Sequence, residues 1–311
     1  MFSKFQLKNR PLLGVCLDGD QIYFAEMQTG KNGYRFKTGS ESIPAEAVDE
    51  GWPNHQSLLE RALRDLCQKH SWQRKRMVAS LAAKQIVLRH LTLPLMPDQE
   101  LKKAVAWEAE KYLPRSRQDY SFDYQVLRRD KGEGRMVEVL LAALPRELAR
   151  QYWSVFQKAG CRLEVIDIVP LALERFLRYG EKVDLKEKPL LLLHLGNDCS
   201  TVAVIQKGKL SFTRILSFGA KTSGPQSLAG LIAEIERSLH YFRLEYRSLP
   251  PDRAIISGPL RNWPSKTLEY LEQRLSLTIE ISMPGQAFMV DGVSGPEHAV
   301  AMGLALRGGW N

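Results

Sequence analysis

Two short segments of the 311-residue chain carry side chains that could do chemistry at a turn. In the first, the apolar run from Leu12 to Leu17 includes Cys16 and leads into Asp18-Gly19, and apolar residues resume at Ile22-Tyr23-Phe24. Asp-Gly between two such runs is a hairpin signal, because glycine accepts a positive φ. In the second, Leu190 to Leu193 runs into His194-Leu195-Gly196, and Asn197-Asp198 turns the chain before Thr201 to Ile205. A thiol, a carboxylate and an imidazole at turns have three available roles: nucleophile, proton carrier or metal ligand. The spacing supports none of them. Cys16, Cys67, Cys161 and Cys199 are widely separated and form no CxxC pair, so no metal site is predicted. Cys16 has no identifiable base partner, which favours a buried thiol over a nucleophile. His194 reads as a satisfied histidine rather than a proton or anion contact. Three of the four cysteines lie in apolar surroundings, which predicts buried free thiols and a reducing compartment. A GxGxxG after a strand, a Walker loop, HExxH and GxSxG are all missing.

The elements that must position these turns follow from periodicity. Tyr34 to Ile43 reads as a third strand, and Leu58, Leu59, Ala62, Leu63 and Leu66 repeat at helical spacing. Strands are predicted within Met77 to Pro94, over Tyr120 to Arg128, over Met136 to Leu144 and over Leu163 to Val169. Helices are predicted over Pro97 to Tyr112, stopped by Pro114, and over Arg146 to Ala159, ended by Gly160. The region from 77 to 169 thus reads as an α+β unit of its own. A Lys207-Gly208 turn leads into Leu210 to Leu216. A long helix spans Pro225 to Tyr246, and Ile255-Ile256 forms a buried strand ending at Ser257-Gly258-Pro259. A helix over Lys266 to Leu275 and a strand over Thr278 to Ile281 follow. The last helix, Glu297 to Leu306, carries small residues that allow close packing. The two apolar hairpins form a weak internal duplication, which implies two similar lobes with a cleft between them.

Composition narrows the function classes. Apolar residues make up 44% of the chain and charged residues 25%, as in an ordinary globular protein. No apolar run approaches the roughly 20 residues of a bilayer span. The net charge of +9 attracts anionic surfaces only weakly, since it is spread along the chain. Arg74-Lys75-Arg76 reads as a solvated loop. No nucleic-acid partner is predicted, for want of an aromatic–basic motif. Met1 to Arg10 reads as a disordered basic leader and not as a signal peptide.

One long block is specific. Leu91 to Pro114 reads LTLPLMPDQELKKAVAWEAEKYLP, and Asp119 to Leu127 follows as DYSFDYQVL. With Leu140 to Leu173, RSLHYFRLEY at Arg237 to Tyr246, IISG at Ile255 to Gly258 and AVAMGLAL at Ala299 to Leu306, it resembles the PilM family of pilus assembly proteins. The resemblance spans about Leu12 to Arg307. That family has an actin-like ATPase fold and is related to the division protein FtsA. The resemblance implies an α/β, actin-like (ribonuclease H-like) two-lobed fold with an inserted α+β subdomain. Lobe 1 is expected at 11–76, with 170–187 and a C-terminal helix at 296–308. The inserted subdomain is expected at 77–169 and lobe 2 at 188–295.

The resemblance also implies ATP and Mg²⁺ in the interlobe cleft, with an Asp-x-Gly pattern in each hairpin. Here the first pattern reads Cys16-Leu17-Asp18, with Gly19 one place late. The second reads His194-Leu195-Gly196, followed by Asn197. The adenosine-side motif reads Ser257-Gly258-Pro259, and Gly219 lies on the same cleft. A thiol and an imidazole stand where carboxylates would hold Mg²⁺ waters. Asp18 brings negative charge to a phosphate position, and Pro259 removes an N–H donor. ATP and Mg²⁺ binding is therefore expected to be weak or lost. The partner implied is a PilN-like bitopic membrane protein whose N-terminal tail docks as a peptide beside the inserted subdomain. Leu91, Leu93, Trp107 and Tyr112 are the candidate pocket residues; core packing is the competing reading for each of them, and the favoured one for Leu93 and Tyr112. The chain is then a cytoplasmic scaffold, peripheral to the inner membrane through its partner. Two alternatives stand beside it. One is an active ATPase driving pilus, type II secretion or DNA-uptake assembly. The other is an FtsA-like, self-associating, membrane-attached protein, which expects an amphipathic C-terminal helix.

Overall fold

The computed structural model describes residues 12–309, apart from 31–32, 50–51, 82–84, 115, 131, 133, 181–187 and 223–224. The expected basic leader at Met1 to Arg10 lies outside the described residues. Among the described residues no helix is long and apolar enough to cross a membrane.

The first lobe opens with a meander of β1 (Leu13–Asp18), β2 (Gln21–Gly30) and β3 (Gly33–Ser42). A small pair, β4 (Val48–Asp49) and β5 (Trp52–Pro53), precedes α1 (Gln56–Lys69), which buries Leu59, Leu63 and Leu66 along one stripe. β6 (Arg76–Leu81) pairs parallel to β1. The inserted part follows: β7 (Val87–Pro94), α2 (Asp98–Ala109), β8 (Tyr120–Arg129) and β9 (Met136–Pro145). The chain returns through α3 (Arg146–Lys158), β10 (Arg162–Ile168) and α4 (Val169–Gly180). The second lobe holds β11 (Leu190–Leu195), β12 (Ser200–Gln206), β13 (Lys209–Leu216), α5 (Pro225–Tyr246) and β14 (Arg253–Ser257). It continues through α6 (Thr267–Leu275), β15 (Thr278–Ile281) and α7 (Pro284–Ala287), after which the chain returns to lobe 1 with β16 (Met289–Asp291) beside β3 and α8 (Ala299–Ala305) on β1.

The expected duplication is present in the sheets. The first runs β10-β6-β1-β2-β3-β16 and the second β13-β12-β11-β14-β15. In each, an antiparallel meander is extended from its first strand by two parallel strands. Every residue of β1 and of β11 is buried, as suits strands covered on both faces. α4 and α8 fill the space between the sheets, and residues of both lobes share one apolar core around them. The small residues of α8 let its backbone lie directly on β1 and α4; a Cβ at Gly303 would meet the Ala172 carbonyl oxygen at 1.9 Å.

The inserted unit is narrower than the span 77–169. β6 and β10 pair with each other in the first sheet, and α3 packs on α1, so both ends of that span belong to lobe 1. Only β7 to β9 with α2 form a separate layer, in the order β7-β9-β8. A short apolar run such as that of β6 fits many sheets, and only the parallel pairing fixes which. α2 covers one face of the small sheet, setting Leu101 and Val105 against Val137, Val139 and Leu141. The opposite face sends Leu88, Leu140 and Ala142 into the shared core.

The cysteine expectation needs correction. Cys67 and Cys161 form a disulfide between α1 and the segment entering β10, with Cα atoms 6.8 Å apart. The packing of α1 on α3 brings together residues 94 apart in sequence, a closeness that spacing alone does not reveal. Cys16 and Cys199 are buried and stand outside this disulfide.

Candidate functional site

The two hairpin turns meet where the lobes join. Gly19, at φ +65°, turns β1 into β2 and leaves Asp18 at the tip. The Asp18 side chain crosses to the other lobe. Its Oδ1 accepts the backbone N–H of Asn197 at 2.7 Å and approaches that of Asp198 at 3.4 Å. In return Asn197 Nδ2 donates to the Asp18 carbonyl at 3.1 Å, and Asn262 Nδ2 donates to Asn197 Oδ1 at 2.8 Å. Successive backbone N–H groups in a turn make an anion-binding concavity. Here the anion bound is a carboxylate of the chain itself. Gly196 permits the approach, since a Cβ there would stand 3.1 Å from Asp18 Oδ1 and 2.4 Å from the Cys199 carbonyl oxygen.

Electrostatics at this turn are unusual. Asp18 is buried, and its Oδ2 has no hydrogen-bond partner among the described residues. The nearby ammonium of Lys221 lies 3.3 Å from Asp198 instead. Burial raises the Asp18 carboxyl, the Asn197 hydrogen bond offsets part of that, and the group is pushed up to about 7. Cys16 sits behind it with Ser80 as its hydrogen-bond partner, and burial pushes its thiol up to about 12. His194 Nδ1 lies 3.1 Å from Ser257 Oγ, and burial pushes the imidazole down to about 4, so it is neutral at pH 7. Cys16, Asp18, His194, Asp198 and Cys199 enclose a cavity of about 10 Å³, room for roughly one water molecule.

The other cleft candidates surround this centre. Gly219 lies against Asn197, where the N–H groups of Ala220 and Lys221 donate to the Gly196 and Asn197 carbonyls. Gly258, at φ +112°, donates its N–H to the Pro296 carbonyl, and a Cβ there would meet the Leu195 carbonyl oxygen at 2.3 Å. Pro259 starts the short 3₁₀ turn that delivers Asn262. Sequence reading missed Ser80, Lys221 and Asn262. Ser80 and Lys221 carry no spacing signal, whereas Asn262 follows the Ser257-Gly258-Pro259 motif closely enough to have been considered.

The four candidate partner residues do not converge. Leu91 is buried beneath α2, and Leu93 is half-buried against the same cluster. Trp107 is 64% exposed on the outer face of α2, with Lys111 Nζ 4.5 Å from its ring centroid. Tyr112 is 38% exposed beside Arg89. The correction has a simple cause: in a strand, successive side chains face opposite sides, and Leu91 and Leu93 share the side that α2 covers.

A groove nevertheless lies beside the inserted unit. Phe122 and Asp123 of β8, Ala143 of β9, Ala149 of α3 and Ile166 of β10 line a mainly apolar cavity of about 50 Å³ between that unit and lobe 1. β8 and β10 are each an edge strand of their sheet. Asp167, on the same groove, accepts the Ile168 N–H at 2.8 Å through Oδ1, while Arg175 and Arg307 donate to its Oδ2, Arg307 at 2.6 Å. Burial alone would raise this carboxyl; the two guanidinium groups outweigh it and hold Asp167 at about 2.

Comparison with known proteins gives a consistent picture. The family described as type IV pilus assembly protein PilM matches residues 14–229. The structure resembles that of a PilM-PilN type IV pilus biogenesis complex at 25% identity and a TM-score of 0.82, covering 96% of this chain and 98% of that one. It also resembles the cytoplasmic domain of EpsL, an inner-membrane component of the Vibrio cholerae type II secretion system. There the identity is 14% and the TM-score 0.51, over 96% of this chain and 94% of that one. Ethanolamine utilization protein EutJ from Carboxydothermus hydrogenoformans matches at 13% identity and a TM-score of 0.50, over 96% and 90%. The last two show the fold alone, and that fold is the expected two-lobed, actin-like α/β class.

Proposed function

The chain belongs to the type IV pilus assembly protein PilM family, and from that premise we propose that it is a cytoplasmic docking scaffold rather than a working ATPase. The observation that carries the docking reading is the groove between β8 and β10. Two strands at the edges of their described sheets, with apolar side chains between them, suit an extended peptide, which gains backbone hydrogen bonds from an edge and specificity from pockets. The occupant is the N-terminal cytoplasmic tail of a PilN-like bitopic inner-membrane protein. PilN is the partner named with the similar PilM structure. The chain is held at the inner membrane through that tail.

The interlobe cleft fits Mg²⁺ and a triphosphate poorly. Mg²⁺ takes oxygen ligands and retains waters. The two positions expected to hold it offer a buried thiol and a neutral imidazole already beside Ser257. The backbone N–H groups that would receive a phosphate point at Asp18. A phosphate would have to displace that carboxylate from a cavity with room for about one water.

Calorimetry with a synthetic tail of a PilN-like protein tests the docking. Saturable binding is expected, weakened roughly tenfold or more by Ala149→Arg, which fills the groove, and unchanged by Trp107→Ala. Folded wild-type protein that fails to bind, or binding that ignores Ala149→Arg and falls with Trp107→Ala, contradicts it. For the cleft, the Asn197 and Asp198 amide resonances are expected to stay in place when Mg-ATP is added. A saturable shift of both would restore the ATPase reading.

A further inference from the structure

A larger cavity, of about 500 Å³, lies between the inserted sheet and lobe 2, away from the hairpin turns and from the peptide groove. Small-molecule sites usually occupy about 300–1,000 Å³. This one is markedly polar. Its lining includes Arg128 of β8 together with Lys207 and Lys209, which flank Gly208 in the tight β12–β13 turn. Lys207 and Gly208 both take positive φ there, +52° and +74°, as a two-residue hairpin turn requires, so the two lysines sit two residues apart on the same turn of the lining. Neither lysine side chain has an ion-pair or hydrogen-bond partner among the described residues. Arg128 is shared between Asp130 at 3.2 Å and Glu138 at 3.9 Å, both partly exposed.

Part of the lining is aromatic. His90 lies on the face of β7 that looks away from α2, and its ring meets Tyr246 of α5 edge-on at 6.5 Å. Its Nε2 is buried with no partner among the described residues. Glu138 and Glu245 add acceptor oxygens to the lining. A ligand that satisfies all three chemistries needs a compact anion, a flat ring and hydroxyl or amine donors. A phosphate dianion can engage two ammonium groups at once through charge-assisted hydrogen bonds.

We infer that this cavity binds a small phosphorylated molecule of nucleotide-like chemistry, its phosphate on Lys207 and Lys209 and its ring beside His90 and Tyr246. Glu138 and Glu245 receive its hydroxyl or amine donors. The site spans two bodies, because β13 packs directly against β7 and β8. Occupancy therefore ties the inserted unit to lobe 2.

The test is calorimetry on the full chain with AMP, inorganic phosphate and adenosine, each without magnesium. AMP is expected to bind saturably, and adenosine at least roughly tenfold more weakly. The double variant Lys207→Glu/Lys209→Glu, at an exposed turn, is expected to weaken AMP by roughly tenfold or more while keeping its thermal unfolding transition. The milder Lys207→Ala/Lys209→Ala pair is expected to weaken it in the same direction. Asp18→Asn is expected to leave AMP binding unchanged, which separates this site from the interlobe cleft. No saturable heat from AMP or phosphate into the millimolar range overturns the inference. So does equal affinity for AMP and adenosine, or equal affinity in the wild type and both lysine variants.

Discussion

Asp18 and Asp167 are two buried carboxylates in one lobe, and they behave in opposite ways. Each accepts a backbone N–H, and each reaches to a distant part of the chain. Asp167 also holds two guanidinium groups, which outweigh burial and keep it ionised. Asp18 has backbone N–H groups but, among the described residues, no cation bonded to it, so burial wins and the group is pushed up to about 7. The comparison shows what separates a structural strut from a stand-in for a ligand. A strut has its counter-charges built in. Asp18 fills a concavity suited to an anion that would bring a cation of its own, and it fills it without one.

The largest effect that would sharpen this contrast is at Asp167. Asp167→Ala leaves Arg175 buried without its carboxylate, and urea unfolding is expected to show a loss of about 3–5 kcal/mol. Because folding lowers the Asp167 pKa, its stabilisation is full above the unfolded value near 4. It is expected to fade as pH falls towards about 2. Unfolding measured from pH 5 to 2 checks this; a variant without that acid slope confirms the source.

Asp18 predicts the reverse slope. Its folded pKa lies above the unfolded one, so its contribution is best below pH 4 and declines as pH rises through about 7. Asp18→Asn keeps an acceptor for the Asn197 N–H and removes the charge. The variant is expected to be more stable than wild type at pH 8 by about 1–3 kcal/mol, and equal to it near pH 4. Denaturation midpoints at the two pH values measure the difference, and a variant that is less stable at pH 8 breaks the contrast.

Smaller effects bound it. Lys221→Ala removes a part-exposed pair with Asp198 and is expected to cost under about 1 kcal/mol. Trp107→Ala, on the open face of α2, is expected to change stability by no more than about 0.5 kcal/mol. Thermal melts of both variants check these values.

The sequence made local features legible where chemistry is local. Asp18-Gly19 and Lys207-Gly208 declared their turns, Pro225 to Tyr246 declared its helix, and the small residues of α8 declared close packing. It also placed negative charge at Asp18 against a phosphate position. That the carboxylate crosses to Asn197 depends on how two lobes close, and no spacing encodes that. α4 went unread because its apolar residues run straight on from β10 with Pro170 at the join, and a proline inside an apolar run reads as a break rather than as the first turn of a helix. The parallel pairing of β6 with β10, the Cys67–Cys161 disulfide and the groove beside β8 all join residues far apart in the chain. Leu91 shows the same limit at a single position: its type suited a pocket and a core equally, and strand parity decided for the core.

The most direct measurement is a pH titration of the side-chain carboxyl carbon of Asp18 by ¹³C nuclear magnetic resonance, with Asp167 read in the same spectra. A midpoint near 7 for Asp18, and continued ionisation of Asp167 down to about 2, is the predicted result. An Asp18 midpoint near 4, the value of a solvated aspartate, would mean that burial does not outweigh its backbone N–H partners, and would contradict the account.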